Sequence, residues 1–403
     1  MRERVSYETA RALVAGAVTP VEEERIALEG CAGRVLAREL RAAADVPAFD
    51  RSAYDGYAFR AVDVQKAADR PVTLWVVEEV PAGKAPCMEI TAGTAAKVFT
   101  GAPIPPGADA VVKYEDTQFT AESVTIFYPA RSGQNIVARG EDVRAGVALA
   151  SAGSLIDPGL AGTLAAQGLE QVRVRRVPRV GLVSTGSELA EAGEPLAPGK
   201  IYNSSRYALA AAIQALGCLP VWLGRARDDA EAIRERLEEG LACCDALVVT
   251  GGASKGSYDL TPAAMELAGA ELLFRGVDFK PGMACAYGVR EGKLLCGLSG
   301  NPAAALTNFY LAAAPALRKL TGRRDWMPRE TAAALADPFP KASPMNRVLR
   351  GRLVLDRGRV ELEVPESQGN AVLSSAAGCD ALAVVPAGSG PLPAGTRLKG
   401  ILI

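Results

Sequence analysis

Short apolar runs alternate with helix-like segments between residues 177 and 322, and this alternation limits the fold more than any other feature of the chain. The runs are continuously apolar, which is typical of parallel strands that are buried on both faces of a sheet. Strands are predicted at 179–184, 220–224, 246–250, 272–277 and 293–296, and helices at 203–216, 229–243, 262–268 and 302–320. The pattern predicts a doubly wound, mainly parallel α/β domain over residues 176–325.

The composition changes on both sides of this region, and 403 residues are too many for one ordinary domain. Residues 1–175 are predicted to hold helical segments at 7–16 and 19–41, and a β-rich insertion at about 55–138 made of short runs broken by Pro and Gly. Residues 326–403 contain a hairpin pattern around Asp356-Arg357-Gly358 and two further strand patterns. We expect a small C-terminal β-barrel there, with a sandwich as the alternative.

Histidine is absent from the chain, which excludes several classes of enzyme. A Ser-His-Asp triad, a Cys-His dyad and histidine-ligated zinc are all ruled out. The eight cysteines include no Cys-x-x-Cys pair and are expected to be reduced thiols. The chemistry of this chain must therefore use carboxylates, lysine, arginine, hydroxyls, backbone amides and a bound cation.

Charge and hydropathy predict the surroundings in which the chain works. The formal net charge is −1, so no global attraction to nucleic acid is expected. No apolar signal segment follows the charged first residues, and the most apolar helix candidate, 302–317, is interrupted by Thr307 and Asn308. The arginine-rich segment 171–180 fits a solvated connecting strand better than a basic patch. We expect a cytoplasmic protein with neither a membrane span nor a nucleic-acid partner.

Polar and glycine-rich residues follow each predicted strand of the α/β region. Because the carboxyl ends of parallel strands meet at one edge of an open sheet, these loops are expected to converge there. The sequence thus predicts a ligand site at this edge. The residues concerned are Ser184, Thr185, Gly186, Glu188, Asp228, Gly251, Gly252, Ser254, Asp259, Lys280, Gly300, Asn301 and Pro302.

The residue types in these loops favour a phosphorylated or nucleotide-like ligand. Glycine-rich turns that open helices expose backbone N–H groups to phosphate, and Lys280 adds a positive charge. Glu188, Asp228 and Asp259 would repel phosphate directly, so they indicate a bridging Mg²⁺. Taken singly, each loop also fits an ordinary turn or helix cap, and it is their convergence that favours a site. A Gly-x-Gly-x-x-Gly after the first strand and a P-loop ending are both missing, which disfavours a dehydrogenase and a P-loop ATPase.

Two segments upstream are denser in polar residues than their surroundings. One is 50–58, which includes Asp55, and the other is 131–142, which ends at Asp142. Their composition fits an ordinary surface loop as well as a functional one.

Several of these motifs occur in the order found in one known family. They are 50–58, Thr100-Gly101-Ala102-Pro103, 131–135, 139–142, 184–189, 250–259, Lys280-Pro281-Gly282 and Gly300-Asn301-Pro302. Together they resemble the molybdopterin molybdenumtransferases, the MoeA-type molybdenum insertases, a family that includes the gephyrin E domain. The resemblance spans nearly the whole chain. It implies an elongated homodimer with a split N-terminal region, a β-rich insertion, an α/β domain and a small C-terminal β-domain.

The resemblance also implies a reaction. In this family, adenylylated molybdopterin and molybdate react with Mg²⁺ to give molybdenum cofactor and AMP, in a cleft between the α/β domain of one subunit and the insertion of the other. Other proteins of the same pathway are implied as partners. Carried over by position, the implied catalytic residues are Asp55, Asp142, Glu188, Asp228, Asp259 and Lys280, with Glu188, Asp228 and Asp259 at the metal. Thr100 and the glycine-rich loops would bind the pterin substrate, and Lys280, Arg350, Ser374 and Ser375 would meet molybdate.

Several positions depart from the family's pattern. Met283-Ala284 stands where Lys-Pro usually follows Lys-Pro-Gly, which removes one cationic ligand of the implied oxyanion site. Ser299 replaces a proline, Ser205 an asparagine and Lys255 an apolar residue. As a hypothesis, Lys255 would return the lost charge from a neighbouring loop.

Two other functions stay open beside the transferase, and molybdate and tungstate are both compatible with the sequence as the oxyanion. Adenylylation of molybdopterin is one alternative, because related single-domain proteins share the Thr-Gly-Gly loop. The additional domains and segment 50–58 favour the transferase over it. The other is a diverged, non-catalytic molybdopterin-binding or scaffolding protein, which Met283, Ala284 and Ser299 favour.

Overall fold

The structure, a computed structural model, describes residues 2–252, 260–356 and 358–403. Its contacts divide the chain into two units. Residues up to 38, 152–157 and 171–403 form the first unit, and residues 39–151 and 158–170 form the second. The α/β region and the C-terminal β-region belong to the first unit, and the β-rich insertion belongs to the second. The three domain boundaries taken from the sequence stay a prediction.

The strands and helices are numbered in chain order. Up to residue 175 they are β1 (Arg2–Val5), α1 (Tyr7–Gly16), β2 (Glu23–Ala27), β3 (Leu40–Arg41), β4 (Arg51–Ser52), β5 (Gly56–Phe59), β6 (Val72–Val80), β7 (Thr94–Val98), β8 (Ala110–Lys113), β9 (Thr117–Phe119), β10 (Ser123–Ile126), β11 (Ile136–Val137), β12 (Ala148–Ala150), α2 (Pro158–Ala166) and β13 (Gln171–Arg175). In the α/β region they are β14 (Arg179–Thr185), β15 (Leu189–Ala190), β16 (Ile201–Tyr202), α3 (Ser204–Ala215), β17 (Leu219–Ala226), α4 (Ala230–Cys243), β18 (Ala246–Thr250), α5 (Leu260–Leu267), β19 (Glu271–Val277), β20 (Phe279–Lys280), β21 (Cys285–Arg290), β22 (Lys293–Leu298), α6 (Pro302–Asn308) and α7 (Ala314–Leu320). The C-terminal region holds β23 (Glu330–Leu335), β24 (Asn346–Asp356), β25 (Arg359–Glu363), β26 (Ala381–Val385) and β27 (Arg397–Leu402).

The central sheet of the first unit has seven strands in the order β1-β19-β21-β22-β18-β14-β17. β14 pairs in parallel with β17 and β18, and β18 pairs in parallel with β22. β21 was not among the predicted strands, and it pairs antiparallel with β19 and β22. Only Glu291 and Gly292 separate β21 from β22, and both have positive φ, which is the geometry of a two-residue hairpin turn. The predicted α/β fold with a mainly parallel central sheet is confirmed.

Successive residues of the central strands enter two different cores, one on each face of the sheet. In β18, Val248 packs in the core that includes Phe309 and Leu317, and Val249 packs in the core that includes Ile233 and Met265. This follows from the period of two along a strand. Each of these side chains contributes about 1.5–3 kcal/mol by its burial. A strand that is apolar at every position is therefore required here.

Residues 19–41 were predicted to be helical, and that prediction is wrong. The segment contains β2, a short 3₁₀ turn at Leu28–Gly30 and β3. β2 pairs antiparallel with β13, and Arg173 of β13 donates a hydrogen bond to Glu23 at 2.7 Å. A pairing partner almost 150 residues away overrides the local helix propensity of this segment. The arginine-rich segment is the connecting strand that the sequence predicted, and Arg176 pairs with Asp245 at 2.6 Å.

The predicted helix at 302–320 is present but is not a regular α-helix throughout. A π-helical segment, Phe309–Ala313, separates α6 from α7. Pro315 lies in the first turn of α7 and has no N–H to donate to the preceding turn. The lost bond is consistent with the change in helical pattern at this point.

The C-terminal strands close into a small barrel, as predicted. β24 pairs with β25 and β26, β25 with β23, β23 with β27, and β27 with β26, so that the ring has no open edge. β20 adds to this barrel through parallel pairing of Phe279 and Lys280 with Asn346 and Arg347. The loop that carries Lys280 is therefore held by the barrel.

The second unit contains a six-stranded sheet in the order β8-β5-β7-β6-β10-β9, in keeping with the predicted β-rich insertion. Its core is built around Tyr57, Phe59, Leu74 and Val124. In the described parts of the chain, no helix is long and apolar enough to cross a membrane.

Arg11 of α1 is a buried cation whose removal we expect to stabilise the fold. Its side chain is only 5 % exposed and lies over the ring of Tyr7, 5.5 Å from the centroid. Its Nε and Nη2 atoms have no hydrogen-bond partner among the described residues. Because unsatisfied buried donors are costly, Arg11→Met should raise the free energy of unfolding by about 1–3 kcal/mol.

Thermal or urea unfolding of Arg11→Met beside the wild type measures this change. Arg236→Met, which removes a cation paired with Glu239 on the exposed face of α4, is the matched control and should change stability by less than about 0.5 kcal/mol. A lower melting temperature for Arg11→Met than for the control would contradict the expectation.

Candidate active site

A cavity of about 650 Å³ opens where β14, β18 and β22 end. Thr185 and Thr250 are the last residues of β14 and β18, and Ser299 directly follows β22. The cavity therefore lies where the loops after the parallel strands were expected to converge. The lining residues are Thr185, Glu188, Leu189, Ile201, Tyr202, Asn203, Ser204, Ser205, Thr250, Lys280, Gly282, Met283, Ala284, Ser299, Gly300, Asn301, Pro302, Ala304, Asn370 and Ala371.

Some of the predicted site residues line this cavity and others do not. Thr185, Glu188, Lys280, Gly300, Asn301 and Pro302 line it. Ser184, Gly186, Asp228, Gly251, Gly252, Arg350, Ser374 and Ser375 are not among the lining residues. Ser254, Asp259 and Lys255 lie outside the described residues, and so does the compensating charge that was proposed for Lys255.

A buried hydrogen-bond network fixes the ends of β14 and β18. The Thr250 hydroxyl donates to Ser184 Oγ at 3.1 Å, and Asn203 Nδ2 donates to the same oxygen at 3.1 Å. Asn203 also caps α3 by accepting a hydrogen bond from the Arg206 N–H at 3.3 Å. Ser184 is buried within this network, so it positions the strand ends instead of facing the cavity.

Gly251 permits the close approach of β18's end to Thr185. It has φ 96°, and a Cβ at this position would lie 2.4 Å from Thr185 Oγ1. Its N–H donates to the carbonyl of Leu298 at 3.0 Å and is therefore engaged within the protein. Thr185 Oγ1 itself is buried and has no partner among the described residues. Thr185 is among the residues that line the cavity, and its hydroxyl is a buried, unsatisfied polar group at the end of β14.

The loop that carries Lys280 is fixed by a buried asparagine below it. Asn308 Nδ2 donates to the carbonyl of Gly282 at 2.7 Å, and Tyr287 donates its hydroxyl proton to Asn308 Oδ1 at 2.6 Å. A Cβ on Gly282 would lie 3.0 Å from the Asn308 Cβ, so only glycine allows this packing. Asn308 positions this loop, and the sequence analysis did not assign it that role, although a polar residue in an apolar helix was a usable signal.

Two acidic residues lie on the turns that follow the neighbouring strands β14 and β17. Glu188 lines the cavity, and the N–H of Ser187 donates to Asp228 Oδ2 at 2.9 Å. Lys200 donates to the carbonyl of Ser187 and so holds the same turn. Among the described residues, no group of three or more acidic, cysteine or histidine side chains is placed to hold a metal ion. In the described part of the site, a cation would therefore meet one or two carboxylates and not a group of three.

Arg350 lies behind the segment that forms one wall of the cavity. It is only 1 % exposed, and its Nε donates to Ser375 Oγ at 2.9 Å and its Nη2 to the carbonyl of Gly369 at 3.2 Å. The next two residues, Asn370 and Ala371, line the cavity. Burial lowers the pKa of Arg350 from its usual value, and no carboxylate among the described residues pairs with it. Ser374 is exposed next to this bonded pair.

The upstream residues belong to the second unit. Asp55 Oδ1 accepts hydrogen bonds from the Thr100 N–H at 2.7 Å and the Thr100 hydroxyl at 2.8 Å. These two bonds lower the pKa of Asp55, so its carboxylate is ionised at neutral pH. Asp142 is exposed, and its N–H donates to the carbonyl of Val46 at 3.0 Å. The structure thus places Asp55 and Thr100 in direct contact.

Comparison with known proteins identifies the family. Models described as MoeA N-terminal region (domain I and II), probable molybdopterin binding domain and MoeA C-terminal region (domain IV) match residues 5–168, 181–319 and 332–403. A molybdopterin molybdenumtransferase of Bacillus subtilis (strain 168) is 35 % identical over 393 residues, which is 95 % of this chain and 90 % of that protein. The chain belongs to the molybdopterin molybdenumtransferase family.

Further relatives agree with this family membership. A molybdopterin molybdenumtransferase of Staphylococcus aureus (strain Mu50) is 32 % identical over 378 residues, 94 % of this chain and 90 % of that protein. The crystal structure of the molybdopterin biosynthesis moeA protein of Pyrococcus horikoshii OT3 has a TM-score of 0.84 at 31 % identity, covering 99 % of this chain and 100 % of that one. The likeness therefore extends over the fold of the whole chain, as the motifs indicated.

The Asn308 bridge predicts a measurable stability effect. Asn308→Leu keeps the side-chain size but leaves the Gly282 carbonyl and the Tyr287 hydroxyl buried without a partner. Each unsatisfied group costs about 1–3 kcal/mol, so the melting temperature should fall clearly.

Chemical denaturation of Asn308→Leu, with Tyr287→Phe as the matched control, measures this cost. Tyr287→Phe removes only one of the two hydrogen bonds and should be less destabilising. Equal stability of Asn308→Leu and the wild type would show that the bridge does not hold the loop.

Proposed function

We propose that this chain is an enzyme of molybdenum cofactor biosynthesis that inserts molybdate into adenylylated molybdopterin, with Mg²⁺ and with release of AMP. The observation that carries the proposal is the cavity at the strand ends. Glu188 and Lys280 both line it, and no ion pair joins them within the described residues. Both charges are therefore available to a ligand. The volume of about 650 Å³ lies in the range of small-molecule and cofactor sites.

The adenylylated end of the substrate would lie against the strand ends. Thr185 and the turn at Gly300, Asn301 and Pro302 line the cavity there. Pro302 begins α6 at the end of this turn. The substrate-binding set that we propose also includes Thr100 and, outside the described residues, Ser254.

The acidic residues fit Mg²⁺ bound together with substrate phosphate. Mg²⁺ usually takes one or two carboxylates and completes its shell with water and phosphate oxygens. Glu188 lines the cavity, Asp228 holds the neighbouring turn, and Asp259 is the third residue of the proposed set. When bound, the ion would reduce the negative charge on the phosphoanhydride. The role of Glu188 and Asp228 is to hold it at one wall of the cavity.

The cations fit a tetrahedral oxyanion at the opposite wall. Lys280 is held by the pairing of β20 with β24, which fixes the backbone from which it reaches the cavity. Arg350 is buried, and its bonds go to neutral oxygens of Ser375, Gly369 and Thr307. An uncompensated buried guanidinium favours a nearby anion. We therefore keep Arg350 and the Ser374-Ser375 pair in the proposed molybdate set. Residues 370 and 371 lie between Arg350 and the cavity, so a bound oxyanion would have to displace them to reach it.

We also propose that two copies of the chain act together. Asp55, Thr100 and Asp142 belong to the second unit, and Asp55 is an exposed, ionised carboxylate held by Thr100. As in the family, these residues would complete the site of another copy. Pathway proteins that deliver the pterin or accept the product are further proposed partners.

A non-catalytic binding protein is the second candidate. Met283 and Ala284 line the cavity where the family usually has a lysine and a proline, and Ser299 lines it where a proline is usual. These residues leave the cavity in place and remove one positive charge from it. Such a chain would hold the precursor without completing the reaction.

The deciding measurement is AMP release from adenylylated molybdopterin with and without molybdate, in Mg²⁺ and after chelation. We expect release that requires both molybdate and Mg²⁺. Tungstate in place of molybdate tests the choice of oxyanion. Tight binding of the substrate without AMP release, in the wild type and in Met283→Lys alike, would overturn the proposal and favour the binding protein. ATP-dependent adenylylation of molybdopterin would instead favour the adenylyltransferase.

Lys280→Met should weaken the use of molybdate more than the use of the pterin substrate. The loss of a charge-assisted contact of about 1.5–3 kcal/mol corresponds to a rise of about ten- to a hundredfold in the KM for molybdate. Steady-state AMP release over a range of molybdate concentrations measures this. Lys341→Met, which removes an exposed lysine of the C-terminal region, is the control and should leave the KM unchanged. The proposed role of Lys280 fails if both variants behave alike.

A further inference from the structure

Arg4 has an uncommon backbone conformation in the first strand of the chain. Its φ is 51°, in the left-handed region that residues other than glycine, asparagine and aspartate rarely adopt. β1 pairs in parallel with β19 through Glu3 with Arg275 and Val5 with Val277, which leaves Arg4 beside Gly276. A Cβ on Gly276 would lie 3.8 Å from the Cγ of Arg4. The strand is thus held on both sides of a locally strained residue.

The Arg4 guanidinium contacts a residue that lines the cavity. Its Nη2 donates to Met283 Sδ at 3.1 Å, and Met283 lines the cavity. The carbonyl of Met283 accepts a hydrogen bond from the Val277 N–H at 3.1 Å, so the segment that Arg4 contacts is tied to the strand beside β1. Backbone hydrogen bonds hold both β1, which carries Arg4, and the Met283 segment. They therefore set the position of the contact between the Arg4 and Met283 side chains.

The charge of Arg4 is poorly satisfied by this partner. A thioether sulfur is only a weak hydrogen-bond acceptor. No ion pair within the described residues involves Arg4, although several other arginines of the first unit are paired with carboxylates, as Arg176 is with Asp245. Lys280 is the one basic residue among the described residues that line the cavity. Arg4 thus adds an available positive charge next to a cavity that holds little positive charge of its own.

A purely structural role explains this arrangement less well. Backbone strain of about 1–3 kcal/mol persists where the surrounding structure enforces it, and it concentrates at functional sites. A glycine at position 4 would relieve the strain and keep every backbone hydrogen bond of β1. A glycine would remove only the side chain of Arg4. That side chain ends at Met283, which lines the cavity.

We propose that Arg4 is a substrate-binding residue that attracts and holds the tetrahedral oxyanion at the Met283 side of the cavity, together with Lys280. This inference rests on the proposed function and adds a binding residue to it. Molybdate carries two negative charges, Lys280 is the one basic residue among the described lining residues, and Arg350 lies buried behind residues 370 and 371. An exposed cation at the rim raises the local concentration of the anion and contacts it on entry.

The test uses the full-length protein and measures binding and activity separately. Titration calorimetry with molybdate gives the Kd, and AMP release gives the KM for molybdate and kcat. Arg4→Met should raise the Kd and the KM by about tenfold while kcat changes little, because the contact acts in binding. Arg2→Met, in the same strand and also exposed, is the matched control and should change neither.

A charge-rescue variant separates binding from folding. Met283→Lys places a cation at the residue that Arg4 contacts, so the double variant Arg4→Met with Met283→Lys should recover most of the affinity. Arg4→Lys should keep an intermediate affinity, and Arg4→Gly should lose affinity while its melting temperature rises. The proposal is overturned if Arg4→Met binds molybdate as Arg2→Met does, or if Met283→Lys restores nothing.

The two proposals fail in different ways. If the wild type binds molybdate through Arg4 but releases no AMP, the proposed reaction is wrong and the binding role of Arg4 stands. If AMP release depends on molybdate and Arg4→Met is unaffected, the reaction stands and the role of Arg4 is wrong.

Discussion

Burial of the central parallel strands on both faces decides where the cavity of this protein forms. β14, β18 and β22 send successive side chains into two separate cores, so helices cover both faces and only the strand ends remain open. The polar residues that follow the strands are brought together by this packing. The same packing requires glycine at position 251, because a side chain there would collide with Thr185. The cavity is thus a consequence of how the sheet is covered.

The loop that carries Lys280 depends on two elements that lie far apart in the sequence. β20 joins it to the C-terminal barrel through Asn346 and Arg347, and Asn308 holds it from below through the Gly282 carbonyl. The barrel is therefore part of the architecture of the site. β20 pairs with the first two residues of β24, whereas β25 pairs with the other end of that long strand, from Arg352 to Asp356.

Three cations that line the cavity or contact its surroundings lack a carboxylate partner within the described residues, whereas many arginines elsewhere in the first unit are paired. Arg176 pairs with Asp245 and Arg206 with Glu191, but Lys280, Arg350 and Arg4 have no carboxylate partner within the described residues. Glu188 lies on the same cavity without an ion pair to Lys280. A cavity lined by an unpaired carboxylate and an unpaired lysine can accept both a cation and an anion.

The sequence by itself determined the α/β fold, the closed C-terminal β-region and the convergence of Thr185, Glu188, Lys280 and Gly300–Pro302, because strand periodicity and the order of parallel strands are local signals. The contact of Asp55 with Thr100 was not predicted and comes from the structure. The tertiary structure alone decided that 19–41 is not helical, that β1 and β20 join distant strands, that Asn308 holds the Lys280 loop and that Arg4 contacts Met283. It also decided that Ser184 and Arg350 lie behind the cavity surface. These features depend on pairing and packing between residues far apart in the chain, and such contacts leave no periodic pattern around either partner.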